Sequence, residues 1–292
     1  MHKYLKSIGF SDAKLKKEED ALIKQTIDLY TDYDSVSITE EYGFAEYCKE
    51  YGDRIGVKVC GQINEMKEFN PESYFPYLKG SGITSRADIT IEQKIDKVEY
   101  LGVCEDVRIG ISLIFHLQNI VEYLKEIKLR TIYDKKISVT LCGLAESGTI
   151  LFPIQKAAST QQTKKEESKN RMMLLNAARN GDKEAIESLT MEEMDIYSKV
   201  NMRIATEDIF TLVDTYLMPY GLDCTMYSIL GEILEIQVVN NKITQEELYI
   251  MKLEVNELQF DICLPVRGLL GEPKVGRRLK TNIWLQGNIH FE

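Results

Sequence analysis

Apolar residues recur along this chain at two spacings, and the alternation of the two predicts its elements. From Ala13 to Tyr30 the residues Leu22, Ile23, Ile27 and Tyr30 return at helical spacing. Strand-like runs follow: IGVKVCGQI at 55–63, SYFPYL at 73–78 and the long ADITIEQKIDKVEYLGVC at 87–104. In the last of these Ile89, Ile91, Ile95 and Val98 are separated by polar residues, as in a half-exposed antiparallel strand. Residues 106–127 are apolar over most of a helical wheel, and Asp106 stands where an N-cap would, which predicts a buried central helix. Two more strands, at 137–145 and 149–154, are joined by a Glu-Ser-Gly turn.

Residues 156–170 hold no apolar residue larger than Ala, and they divide the chain as a polar linker. Beyond them, 171–222 reads as a helical segment. Within it LLNAARNGDKEAIESL at 174–189 looks like the helix–turn–helix of one ankyrin repeat without its opening TPLH. Strand character dominates 223–292: SILGEILEIQVV, ELYIMKLEV, LQFDICL and RRLKTNIWLQGNIHF, with only Asn256 and Glu257 between the second and third. The predicted fold class is α+β: an antiparallel sheet with a central helix in 1–155, then a helical pair, then a C-terminal small OB-like or SH3-like β-barrel in 223–292. The βαβ alternation of a doubly wound nucleotide fold is absent.

Charge and cysteine usage narrow the function classes. The 292 residues carry 46 Asp or Glu against 36 Lys or Arg, a formal charge of −10, which opposes non-specific nucleic-acid binding and adhesion to anionic membranes. The six cysteines (48, 60, 104, 142, 224 and 263) are scattered, and only three histidines accompany them, so neither metal ligation nor a cofactor is expected. Free thiols in a reducing cytoplasm are the simpler reading. No apolar run is long enough to span a bilayer, and the expected location is cytoplasmic.

Three constellations are candidates for chemistry. Along the last strand one face is apolar, while Arg278, Lys280, Trp284 and His290 share the other with three amides, and Arg277 adjoins. The chain's one tryptophan beside cations is the chemistry that stacks a base or holds an anionic ligand. Large aromatics are seldom left bare, so the plainer reading covers Trp284 with the helical pair or the N-terminal domain. Ser112 and His116, four apart on the expected central helix, would be neighbours able to form a nucleophile–base hydrogen bond, although no nucleophile elbow surrounds Ser112. Gly80 and Gly82 flank a serine after a strand and could turn backbone N–H groups toward an anion.

Five stretches together are similar to a family of functionally uncharacterised proteins from Clostridia and related Firmicutes. They are MHKYLKSIGF, YFPYLKGSG, GVCEDVRIGISLIFHLQN, LVDTYLMPYG and GEPKVGRRLKTNIWLQGNIHF. The resemblance implies a bacterial cytoplasmic protein and carries over no functional residue. The leading expectation is a non-enzymatic binding or regulatory protein that meets another protein or an anionic small ligand through the polar face of the C-terminal barrel. Single-stranded nucleic-acid binding by that barrel is one alternative, although residues 223–292 hold seven basic against ten acidic side chains. An enzyme of unfamiliar type with scattered residues is the other.

Overall fold

A computed structural model of the chain describes residues 2–10, 16–94, 99–129, 135–154, 170–171, 173–191, 194, 210 and 213–292. The polar linker falls outside the described residues apart from Asn170, as do residues 95–98 of the long strand expected at 87–104.

The architecture is α+β and mostly strand. A 3-10 turn, Lys3–Ile8, and helix α1, Lys16–Asp28, precede a four-stranded antiparallel meander. Its strands are β1 (Asp32–Ser37), β2 (Tyr42–Glu50), β3 (Ile55–Asn64) and β4 (Phe69–Leu78), hydrogen-bonded in that order. Next come β5 (Ile89–Gln93), β6 (Tyr100–Cys104), β7 (Leu113–Leu117), helix α2 (Ile120–Leu129), β8 (Ile137–Leu144) and β9 (Gly148–Leu151). The C-terminal part supplies β10 (Tyr216–Pro219), β11 (Met226–Asn240), β12 (Glu247–Val255), β13 (Leu258–Pro265), β14 (Leu269–Leu270) and β15 (Arg278–Phe291).

These later strands form one large, mainly antiparallel sheet, and β8 is its join. It pairs in parallel with β13 and antiparallel with β15, so strands from both sides of residues 156–170 share one hydrogen-bonded sheet. The pairings β11–β12–β13–β8–β15 return to β11. Ile229, Ile233, Leu253, Phe260, Ile262, Leu264, Leu279, Ile283 and Leu285 are all fully buried there. The β12–β13 hairpin turns on Asn256 and Glu257, both at positive φ (48° and 65°), the type I′ geometry that matches strand twist.

Three expectations need correction. The central helix over 106–127 does not form. Residues after Asp106 make a turn that passes through Gly110, β7 occupies Leu113–Leu117, and the helix starts only at Ile120. β6 and β15 flank β7 within the sheet, Leu113, Phe115 and Leu117 are buried on one face, and His116 is buried on the other. A strand buried on both faces is apolar throughout, and periodicity cannot separate it from a buried helix. Gly102 of β6 makes room there: a Cβ at that position would come within 2.0 Å of the Phe115 ring. The long strand is the second correction, because β5 and β6 are antiparallel partners of each other. The third concerns 171–222, which is helical over 173–179 and 183–191 but ends in the strand β10.

Helix α2 is started from outside itself. The Glu46 carboxylate of β2 accepts from the Ile120 and Val121 N–H groups (2.9 and 3.3 Å), filling donors that a helix leaves open at its first turn. Lys58 of β3 balances that buried carboxylate at 2.8 Å and also donates to the Gln118 carbonyl. Burial pulls the Lys58 ammonium down, but Glu46 together with Cys48 and Cys60 pulls it up, and the net shift is upward. A buried pair of this kind is costly to break, since either partner alone is an uncompensated charge.

Candidate ligand-binding site

The polar row of β15 divides into three separate neighbourhoods, each engaged inside the chain. At its start Arg278 is buried, and its guanidinium donates to the carbonyls of Phe152 (3.0 Å), Val213 (2.7 Å) and Phe210 (2.7 Å). Lys280 places its ammonium 4.2 Å from the Phe210 ring centre, and Arg277 lies over Phe152 and donates to the Glu272 carbonyl. In the middle Trp284 is only 4% exposed. Tyr4 stacks on it at 5.2 Å and 15°, His2 and His116 approach to 4.7 and 5.0 Å, and its indole N–H donates to Thr225 Oγ1 at 3.0 Å. Farther along, His290 Nε2 meets Thr140 Oγ1 at 2.8 Å.

Between these lies a closed amide network. Gln286, fully buried, donates to the Pro76 carbonyl of β4 and accepts from Gln118 Nε2, and Gln118 in turn accepts from Asn288. The amides of β15 therefore fasten the large sheet to β4. Buried polar groups must find partners, and here each finds them within the chain.

The secondary candidates are likewise placed. Ser112 and His116 sit on extended chain, where four residues span about 13 Å, and Ser112 donates instead to Glu105 Oε1 at 2.6 Å. His116 is buried in the aromatic cluster with neither ring nitrogen hydrogen-bonded; its Nδ1 lies 3.6 Å from Glu99 Oε1, an ion-pair distance rather than a hydrogen bond. The His116 imidazole, and Lys94 after it, hold the Glu99 carboxyl down at about 2 against the upward pull of burial. Burial, aided by His116, lowers His2 to about 4. The Gly80–Gly82 loop does present donors to an anion, and that anion is internal: Ser81 N–H and Oγ both donate to the buried Asp261 carboxylate (2.8 and 2.7 Å), which Arg54 also binds. Gly82 carries the positive φ (73°) that turns the loop. Of residues predicted in separate constellations, the structure brings Trp284 beside His116 and sets Gly82 and His290 on the same Thr140 hydroxyl, while Arg277, Arg278 and Lys280 gather around Phe152 and Phe210.

A different surface is left partly open. Register places Tyr33 opposite Tyr47, Tyr47 opposite Val59, and Val59 opposite Tyr74, so one row crosses all four strands on one face of the small sheet. Tyr30, just past α1, closes on Tyr33 and Tyr47 at 6.0 and 5.4 Å, and Phe69 adds a ring 4.7 Å from Tyr47. Helix α1 packs on β2 and β3; within the row Val59 is fully buried, Tyr47 and Tyr74 are half-buried, and Tyr33 at the β1 end is exposed. Between α1 and the β3–β4 half runs a cleft of about 350 Å³, floored by Ile23, Ile27, Val59 and Pro71 and walled by Tyr74. That volume is at the lower end of small-molecule sites. Tyr74 is held in place as Glu19 Oε1 accepts from its hydroxyl, which itself accepts from the His2 N–H.

Sequence reasoning missed this surface because it placed no strand at β1 or β2. DYDSVS carries one aliphatic residue, and its signal is the tyrosine pair Tyr33 and Tyr47, visible only once the strands are paired.

Among the described residues no group of three His, Cys, Asp or Glu side chains is arranged to hold a metal ion, and no helix is long and apolar enough to cross a membrane. The protein is thus of the α+β class, with a closed polar seam and a tyrosine row across the small sheet that is exposed at its Tyr30 and Tyr33 end. It belongs to the family whose model is described as "Domain of unknown function, E. rectale Gene description (DUF3881)", which matches residues 5–287, nearly the whole chain. No curated protein and no solved structure matches it.

Proposed function

We propose that this protein works by binding a ligand rather than by catalysis, and that it binds through the open face of the four-stranded sheet. The observation that carries the reading is the Tyr33–Tyr47–Val59–Tyr74 row running into the cleft beneath α1. Tyr30 and Tyr33 are 52% and 37% exposed, and exposed aromatic groups that adjoin a concave apolar floor mark contact surfaces more often than scattered single ones do. The row on β15, by contrast, has its cations and its tryptophan spent on internal partners, which favours a supporting role for it.

In this reading residues 223–292 make a small barrel whose fifth strand is β8, and the amides of β15 hold the binding sheet against it. The free cysteines, four of them buried, suit a reducing cytoplasm. Backbone shift mapping of the ¹⁵N-labelled full chain against a chemically diverse fragment set tests the proposal. Shifts should gather on α1 and on the row across β1–β4. Fragments that gather on any other surface, with none here, would overturn it.

A further inference from the structure

We infer that the cleft between α1 and β3–β4 takes a small organic cation, an ammonium group carried on an apolar body; this rests on the open sheet face being the binding surface. The floor provides for the body. Ile23 and Ile27 are half-buried on α1 and line the cleft together with the exposed Pro71, while Val59 lies fully buried at its base. Burying apolar surface against such a floor is favourable whatever the ligand's charge.

The rim determines the sign. Asp20 and Asp28 stand on α1 and Glu72 on β4, three carboxylates against the single ammonium of Lys24. Asp20, Lys24 and Asp28 are spaced i, i+4, i+8, so they line one side of the helix over about 12 Å. None of these four side chains forms an ion pair or hydrogen bond with a described residue. That sets them apart from Glu99 and Glu46, whose carboxylates are committed to His116 and Lys58. Tyr74 forms the wall, so an ammonium held at the rim carboxylates has an aromatic ring beside it as well. An anionic ligand would face the carboxylates at the rim and gain nothing from the rings. A neutral one would keep the floor alone.

The test is a ¹⁵N shift titration of the full chain near pH 7 with three probes that share one body: phenethylammonium, 2-phenylethanol and phenylacetate. Phenethylammonium is expected to shift Ile23, Ile27, Val59 and Tyr74 and to bind about tenfold tighter than the alcohol, with phenylacetate weakest. The advantage should shrink in the Asp28→Asn/Glu72→Gln variant, whose substitutions are exposed and leave the fold intact, and with added salt. Equal affinity for cation and alcohol at the cleft overturns the charge assignment while the open-face reading stands, as does tightest binding by phenylacetate. A Lys-Phe-Lys peptide that binds where phenethylammonium does not overturns the small-ligand assignment. If none of the probes shifts the cleft, the inference falls together with the open-face reading.

Discussion

Strand β15 and the four-stranded sheet each set aromatic rings among charged and polar side chains, yet Trp284 on the first is 4% exposed while Tyr30 and Tyr33 by the second are 52% and 37% exposed. The difference lies in what packs on each. The β15 row is roofed by the 3-10 turn at Lys3–Ile8, by β4 and by β7, and those elements bring His2, Tyr4, Gln118 and the Pro76 carbonyl to it. Above the sheet row lie, among the described residues, helix α1 and Tyr30, which leave Tyr33 at its outer end exposed. An aromatic among polar groups on a strand therefore marks a surface that needs both kinds of contact. Whether the chain itself supplies them separates a seam from a site.

The sharpest way to break this comparison is at the seam. Trp284→Ala removes a buried ring stacked on Tyr4, and it should cost about 3–5 kcal/mol in urea denaturation; a loss below about 1 kcal/mol would mean the row is not enclosed. Arg278→Ala strands three carbonyls, and the expected loss is about 2 kcal/mol. It should also speed amide hydrogen exchange around residues 213–217 beyond the effect of the general destabilisation. Unchanged exchange there would count against the staple.

The aromatic cluster adds a pH dependence. Glu99 has a folded-state value of about 2, below its usual 4.5, so its contribution to stability is present above about pH 4.5 and is lost as pH falls toward 2. Melting temperatures of wild type and Glu99→Gln should therefore diverge above pH 4.5 and converge toward pH 2. Parallel curves would separate Glu99 from His116. The smallest effect belongs to the open face: Tyr33→Ala should change stability by no more than about 0.5–1 kcal/mol while weakening whatever the fragment screen finds there. A large destabilisation would show that ring to be structural.

Much of the β framework was legible in the chain. β3, β8, β12, β13 and β15 lie within a residue or two of the runs that predicted them, because each alternates or is uninterruptedly apolar between turn residues. The Asn256–Glu257 hairpin was equally legible, since two residues between matched strands leave few other geometries. The stretch 106–127 was misread because a strand buried on both faces imitates a buried helix, and nothing local to Leu113–Leu117 reveals that β6 and β15 flank it. β1 and β2 passed unnoticed because their tyrosines and carboxylates lack the aliphatic alternation that signals a strand. Membership of the family was legible from end to end, in stretches of sequence that needed no fold.

The sequence by itself determined the α+β class, most strand positions and the existence of a polar row bearing Trp284, since these follow from periods of two and 3.6 and from turn chemistry that act over a few residues. Only the tertiary structure decided that Trp284, Gln286 and Arg278 face inward and that Tyr33, Tyr47 and Tyr74 line up in one row with its Tyr33 end exposed. Both outcomes depend on pairings and coverings between residues as far apart as Gln286 and Pro76, and burial is a property of those neighbours rather than of the strand that carries the side chain.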